Sequence, residues 1–272
     1  MNREDVMRAA EGASVIVHAV NPPGYLNWEQ LVVPMVENTI AAAIAQRATI
    51  VLPGTVYNYG PDAFPVLRED SPQHPQTRKG KIRVRLERAL EEATHAGARV
   101  IVVRAGDFFG PAAHNNWLGQ GMIQPGRPVT TIRVPGKPGA GHSWAYLPDV
   151  ARTMVALLER RQGLPDFATF HMAGHWDADG QQIAAAIQRV VARHGGRART
   201  SPLPWWALRL ASPFVPTLRE LMEMRYLWQG PVKLDNTRLT AVLGEEPHTP
   251  LDEALEASLA GMGCLPAERA AA

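Results

Sequence analysis

The feature that most constrains this chain is a continuous apolar run, Ala13–Val20, which follows only one short helix. In an α/β protein such a run is typical of a central strand with partners on both sides. We predict a strand over Ser14–Val20, and the helix before it, capped by Asn2 and ended by Gly12, supplies no partner strand. The segment Met1–Gly12 also lacks the glycine-rich turn that holds dinucleotide phosphates. The sequence therefore predicts a sheet without its first strands.

Beyond this run, apolar strands alternate with helices. We predict strands at 49–52 and 99–104, separated by helices at 28–46 and 79–95. This order is typical of an α/β protein with a parallel sheet and helices on both faces. After Arg104 we predict short strands at 129–134, 143–147 and 167–173 and helices at 149–161 and 179–194, followed by a mostly helical remainder from residue 202.

Composition narrows the function classes. The chain has 272 residues and a formal net charge of +2, so it gives no global support for nucleic-acid or membrane-surface binding. One cysteine, Cys264, excludes an internal disulfide framework. No apolar stretch is long enough to span a membrane, and the N-terminus has no signal-peptide pattern. We predict a cytoplasmic protein that binds neither nucleic acid nor membranes.

Four segments carry a resemblance to a known family. In order and spacing they resemble motifs of the extended short-chain dehydrogenase/reductases, in the NAD-dependent epimerase/dehydratase branch. The segments are Val17–Val20, Thr55–Gly60, Arg104–Pro111 and Trp144–Ala151. The resemblance covers nearly the whole chain.

The resemblance implies a Rossmann-like doubly wound parallel sheet with a C-terminal, mostly helical substrate lobe. Ser14–Val20 corresponds to the family's fourth strand, so we expect Met1 to be an internal residue of a longer protein. The predicted divisions are a partial NAD(P)-binding domain at 1–135, interleaved with the lobe after residue 105, a lobe with returning sheet elements at 136–264 and a frayed tail at 265–272. The exposed edge of the first strand predicts self-association or a homodimer.

The resemblance also implies a catalytic site. The family's Tyr-x-x-x-Lys pair aligns here with Lys79 and Arg83, and Thr55 matches the residue that hydrogen-bonds the reacting oxygen. Arginine cannot move protons at neutral pH, whereas a buried lysine can, and Tyr57 is the other proton donor. The alternative is that Lys79 and Arg83 belong to a solvated basic helix face.

The implied cofactor is NAD or NADP, and the implied substrate is a small molecule. The resemblance assigns cofactor contacts to His18, Ala19, Val20, Arg104, Ala105, Gly106 and Phe108. It assigns substrate contacts to Asn21, Asp107 and Trp144. We therefore predict an NAD(P)-dependent epimerase/dehydratase-like oxidoreductase acting on a sugar-like or small carbonyl or hydroxyl compound, impaired by the missing phosphate-binding turn. The alternative is a non-catalytic dinucleotide sensor or scaffold on the same fold.

One histidine-rich segment superficially suggests a metal site. His171 lies on a predicted strand, and His175, Asp177 and Asp179 follow in a turn. Their spacing matches no strong zinc pattern. The sequence therefore predicts no metal.

Overall fold

A computed structural model describes residues 2–22, 27–113 and 116–265. The chain divides into two compact units. Unit 1 contains residues 1–105, 150–172 and 234–246, and unit 2 contains residues 106–149, 173–233 and 247–272. The tail predicted to fray lies, from residue 266 on, outside the described residues. The domain limits predicted from the sequence stay a prediction.

The helices and strands have the following bounds. The α-helices are α1 Arg3–Ala9, α2 Trp28–Gln46, α3 Arg78–Thr94, α4 Leu147–Glu159, α5 Gln182–Arg193, α6 Trp205–Ala211, α7 Pro216–Glu223, α8 Thr237–Leu243 and α9 Leu251–Gly261. The strands are β1 Val15–Val17, β2 Thr49–Gly54, β3 Val66–Leu67, β4 Arg99–Arg104, β5 Asp107–Phe109, β6 Thr131–Val134, β7 His142–Tyr146, β8 Phe167–His171, β9 His175–Asp177, β10 Arg199–Pro202 and β11 Lys233–Leu234.

Unit 1 is built on a parallel sheet. Among the described residues this sheet has four strands in the order β1-β2-β4-β8. The two central strands, β2 and β4, are almost completely buried, as expected for apolar strands covered by helices. Helices α2 and α3 join β1 to β2 and β2 to β4, and they pack against each other. The predicted parallel α/β architecture is therefore confirmed.

Local sequence signals explain why α3 begins where it does. Thr77 adopts an extended conformation, and its side chain accepts a hydrogen bond from the backbone N–H of Gly80 at 3.0 Å. This is N-terminal capping, which satisfies one of the otherwise unpaired amides of the first turn. The apolar residues on one face of α3 are buried, as the sequence predicted: Ile82, Leu86, Leu90 and Ala93.

Unit 2 contains two small sheets and several helices. Strand β7 lies between β5, to which it is parallel, and β9, to which it is antiparallel. Strands β6 and β10 form a parallel pair, and helix α5 packs on α9. The strands β5, β9 and β10 are three or four residues long, and the sequence analysis did not predict them.

None of the described helices combines the length and the apolar composition that a transmembrane helix requires.

The edge of the unit 1 sheet generates a prediction. Within the described residues β1 pairs only with β2, and Val17 is 55% exposed. An apolar edge with unpaired amides favours strand-to-strand association. We expect the protein to self-associate with increasing concentration in analytical ultracentrifugation and the Val17→Lys variant to do so much less. Val155→Lys changes an equally exposed valine on α4 and is expected to behave like wild type. A monomer at every concentration would contradict the prediction.

Candidate active site

The carboxyl ends of the unit 1 strands bring three predicted site residues to one edge of the sheet. His18 follows β1, Thr55 follows β2 and Ala105 follows β4. Because these strands are parallel and adjacent, the residues after them share one edge. Ligands of open α/β sheets bind outside this edge. One candidate site therefore lies at the carboxyl edge of the unit 1 sheet.

Thr55 organises the turn that follows β2. It caps the short 3₁₀ turn Val56–Asn58, and its Oγ1 atom accepts a hydrogen bond from the backbone N–H of Tyr57 at 3.4 Å. Thr55 is half-buried, and Tyr57 is buried. The hydroxyl is thus held in place by its own turn, as a group that hydrogen-bonds a substrate oxygen must be.

Helix α3 separates its basic residues into two groups. Lys79 and Arg83 are 1% and 9% exposed. The other basic residues of the helix are exposed: Arg78, Lys81, Arg85 and Arg88. The alternative that Lys79 and Arg83 lie on a solvated face is therefore wrong. Their burial is unusual, because charged side chains are almost never fully buried unless they have partners.

Gly80 allows the start of α3 to approach the Thr55 turn. A Cβ atom at this position would lie 2.3 Å from the carbonyl oxygen of Tyr57 and 2.6 Å from Cβ of Pro75. Only glycine fits so close an approach of two backbone segments. The contact brings the helix turn that carries Lys79 against the turn formed by Thr55 and Tyr57.

His18 is held in a neutral state at the end of β1. Its side chain is buried, and Nδ1 lies 2.8 Å from Oγ1 of Thr39 on α2. Burial, assisted by the positive charge of Arg83, lowers the pKa of His18 to about 4. Arg83 in turn places its guanidinium carbon 5.0 Å from the ring centroid of Trp28, a cation–π contact.

The residues after His18 differ from it in exposure. Ala19, Val20 and Asn21 are exposed, and their backbone therefore remains accessible at the sheet edge. Strand β1 ends at Val17, earlier than the predicted Val20, so these residues form no ladder with β2.

Arg104, at the end of β4, lies in a buried polar network. Its guanidinium pairs with the carboxylate of Glu87 on α3, and its Nη1 donates to the hydroxyl of Tyr59 at 3.1 Å. Burial lowers the pKa of Arg104, but the charge and hydrogen bonds of Glu87 outweigh this effect and raise it. The side chain of Arg104 thus joins α3 to the sheet. Ala105, the next residue, is also buried.

His171, at the end of β8, completes this network. Its Nε2 lies 3.0 Å from the Tyr59 hydroxyl, and its Nδ1 lies 3.2 Å from the carbonyl oxygen of Leu67. The arrangement fits the tautomer that donates from Nδ1 and accepts at Nε2. Burial and the nearby Arg104 charge lower the pKa of His171 to about 3, and burial raises that of Tyr59 to about 12.

In unit 2, the predicted residues after β4 pack against β7. A Cβ atom on Gly106 would lie 2.0 Å from the carbonyl oxygen of Ser143, so glycine is required there. Asp107 is buried, and its Oδ2 lies 2.6 Å from Nε2 of His142. The ring of Trp144 is buried, whereas Phe108 is half-buried. The Asp107 carboxylate is thus directed to a histidine that is also buried.

Unit 2 also contains a cavity of about 1060 Å³. Thr131 and Arg133 on β6 lie on one face of the two-stranded sheet, since side chains alternate along a strand. Arg199 on β10 is in register with Thr131. These residues line the cavity together with Arg127, and none of its lining residues is acidic. The cavity is therefore suited to an anionic ligand.

Sequence reasoning missed His142 as the partner of Asp107, and it missed the arginines of the cavity. Arg133 and Arg199 are far apart in the chain and meet only because β6 and β10 pair. Sequence motifs report residues that lie close together in the chain, so no motif indicates a pair of arginines on two distant strands. The two-residue alternation within β6 was the only available hint.

Comparisons with known proteins identify the fold. No family model matches the sequence, and no curated protein matches it significantly. Solved structures do match. L-threonine dehydrogenase from Phytophthora infestans has a TM-score of 0.70 and 16% identity, over 95% of this chain and 82% of that chain. The UDP-Glc/GlcNAc 4-epimerase from Campylobacter jejuni has a TM-score of 0.68 and 14% identity, over 96% of this chain and 81% of that chain.

A third match is RMD from Pseudomonas aeruginosa complexed with NADPH, with a TM-score of 0.63 and 15% identity, over 92% of this chain and 81% of that chain. At these identities the matches establish the fold. The chain has the Rossmann-type α/β fold of these solved structures, and the fold implied by the four sequence segments is confirmed.

The buried neutral histidines predict acid sensitivity. Below the ordinary pKa of 6.5, the unfolded chain binds a proton at His171, and the folded chain does not until about pH 3. Stability must therefore fall as pH falls through this window, by about 1.4 kcal/mol per pH unit for one such group. We expect urea unfolding at several pH values to show this slope and His171→Gln to reduce it by about that amount.

A control for this experiment is His95→Gln, which changes an exposed histidine at the end of α3. It is expected to keep the wild-type pH dependence. A His171→Gln variant with an unchanged slope would show that the acid sensitivity has another origin.

Proposed function

We propose that this chain is an NAD(P)-dependent, epimerase/dehydratase-like oxidoreductase that acts on a sugar-like or small carbonyl or hydroxyl compound. The RMD neighbour is complexed with NADPH, and another neighbour is named as a 4-epimerase for UDP-Glc and GlcNAc. The observation that carries the proposal is the burial of Lys79 and Arg83 on α3, whose Gly80 lies against the backbone of Tyr57.

The residues at the sheet edge fit the nicotinamide and ribose half of the cofactor. Ala19 and Val20 leave the edge after β1 accessible, and Arg83 supplies a permanent cation with several hydrogen-bond donors. The cofactor, when bound, would supply hydride transfer to or from a substrate carbon. Two of the other predicted cofactor contacts, Gly106 and Phe108, follow β4 in the chain. Arg104 is proposed to support the site indirectly, because it holds α3 against the sheet.

Each polar group at the edge then has a distinct role. The Thr55 hydroxyl hydrogen-bonds the reacting oxygen of the substrate. The ammonium of Lys79 gives a proton to this oxygen when a carbonyl is reduced, and the neutral amine takes it back when the hydroxyl is oxidised. Tyr57 is the second proton donor. Arg83 does not exchange protons and stabilises negative charge on the oxygen or on the ribose.

The unit 2 cavity is proposed to bind an anionic ligand. Arg133, Arg199 and Arg127 provide three positive charges without an acidic neighbour in the lining, a composition that suits phosphate oxygens. The assignment of substrate contacts to Asn21, Asp107 and Trp144, which the family resemblance implies, remains a proposal.

The second candidate function is a non-catalytic dinucleotide sensor. The observation that favours it is the absence of a tyrosine at position 79, where the family resemblance places the proton donor. A sensor and an enzyme share cofactor binding and differ in turnover, so a change at Lys79 separates them.

We expect Lys79→Met to lower turnover by about 10²–10⁴-fold, because the proton donor is lost while the volume of the side chain is retained. Turnover is measured from the absorbance of the reduced nicotinamide with UDP-glucose and NAD or NADP as probes. Lys81→Met removes an exposed lysine from the same helix and is expected to keep full turnover. NADPH binding without turnover in wild type would support the sensor, and no NADPH binding at all would reject both functions.

We expect Arg133→Gln to weaken the binding of UDP by at least ~10-fold, since a hydrogen bond to a charged group contributes about 1.5–3 kcal/mol. Isothermal titration calorimetry measures this loss at two salt concentrations, and the higher concentration should weaken wild-type binding more. Arg197→Gln removes an exposed arginine outside the cavity lining and should bind UDP like wild type. Equal losses in both variants would argue for a general charge effect rather than a cavity site.

A further inference from the structure

Three side chains that can bind metals converge in unit 2. They are Asp149 in the first turn of α4, His175 at the start of β9 and His248 in the segment before α9. One ligand atom from each lies within 4.8 Å of the others. The three residues come from distant parts of the chain, so the fold rather than local sequence brings them together.

His175 has a buried nitrogen without a partner. The side chain is 7% exposed, and no residue in the described part of the chain hydrogen-bonds its Nε2 atom. The imidazole lies among rings: its centroid is 5.7 Å from that of Phe109 and 4.5 Å from that of His248. A buried polar atom without a partner costs free energy, which a bound ligand would recover.

The second feature of the cluster is the fixed carboxylate. Oδ2 of Asp149 accepts the backbone N–H of Thr249 at 2.7 Å, and Oδ1 accepts the Thr249 hydroxyl at 2.7 Å. A carboxylate has about four lone-pair sites, so one that accepts hydrogen bonds can also ligate a cation. They also fix the segment that carries His248 beside Asp149. Such hydrogen bonds to a ligand are typical of metal sites, where they orient the first coordination shell.

We propose that Asp149, His175 and His248 bind one divalent transition-metal ion, with Zn²⁺ as the best fit. Two imidazoles and one carboxylate are a common ligand set for zinc, at distances near ~2.0–2.2 Å. The ligand atoms, which lie within 4.8 Å of one another, must move closer together to reach such distances from one ion. His248 is exposed, and therefore the fourth coordination position is accessible to water or to a small ligand.

This proposal replaces the prediction that the chain holds no metal. The sequence analysis grouped His175 with His171, Asp177 and Asp179, which are nearby in sequence. The structure uses these three differently. His171 belongs to the network of unit 1, Asp177 accepts the N–H groups of Gln182 and Ile183 at the start of α5, and Asp179 accepts the N–H of Gln181.

The test uses the full chain without a polyhistidine tag, freed of metal by a chelator. We expect equilibrium dialysis with Zn²⁺ alone to give one bound ion per chain. His248→Ala is the first variant, because the residue is exposed and its loss leaves the core intact. It is expected to weaken Zn²⁺ binding by at least ~10-fold, the loss that even a change outside the first shell typically causes.

Two further variants sharpen the result. Thr249→Val removes the hydroxyl that holds Asp149 but no ligand, so it should weaken Zn²⁺ binding less than His248→Ala and keep the one-to-one ratio. His95→Ala removes an exposed histidine outside the cluster and should bind like wild type. Thermal unfolding without metal checks that all variants fold.

A second readout is independent of affinity. Co²⁺ in a site with two imidazoles and a carboxylate gives a visible absorption band, which should be present in wild type and lost in His248→Ala. Absence of Zn²⁺ binding by wild type, or equal binding by wild type and His248→Ala, would overturn the proposal. Neither readout involves turnover, so these experiments test the metal site independently of the proposed oxidoreductase activity.

Discussion

The interaction on which the candidate active site depends most is the buried ion pair between Arg104 and Glu87. Removal of one partner alone would leave an unpaired buried charge, at a cost of about 3–5 kcal/mol. Glu87 follows Arg83 by four residues and Lys79 by eight, so the three side chains lie along one face of α3. The ion pair therefore fixes the face that carries both candidate cations against the end of β4. A slip of α3 by one turn would break the pair and move both cations.

The two buried cations define what chemistry the sheet edge can perform. In the family that the sequence resembles, these positions hold a tyrosine that exchanges protons and a lysine that remains charged. In the proposed function the charged role falls to Arg83, whose guanidinium lies over Trp28, and the exchanging role falls to Lys79. A guanidinium keeps its charge at any physiological pH, so the division of roles follows from the side chains themselves.

The sequence predicted most of unit 1 and much less of unit 2. Helix α2 and strand β4 have the predicted bounds, because a long helical segment and a continuous apolar run each carry a local signal. Strands β5, β9 and β10 are short and form only by pairing with distant segments, so no local pattern indicates them. The candidate site follows the same rule. Thr55 and Lys79 were found from motifs, whereas His142 and His248 acquire their partners only in the folded chain.

The proposed metal site has a particular position along the chain. Asp149 is the last residue of one segment of unit 2, and His175 and His248 lie within the first three residues of two others. Each ligand is therefore close to a point where the chain passes between the units. A metal ion bound by all three would tie these segments of unit 2 together. Of the three ligands, only His175 lies in the β7–β9 pair and is held directly by its backbone hydrogen bonds. Because metal binding stabilises the state that presents the complete ligand set, occupancy would couple to the folding of unit 2 itself.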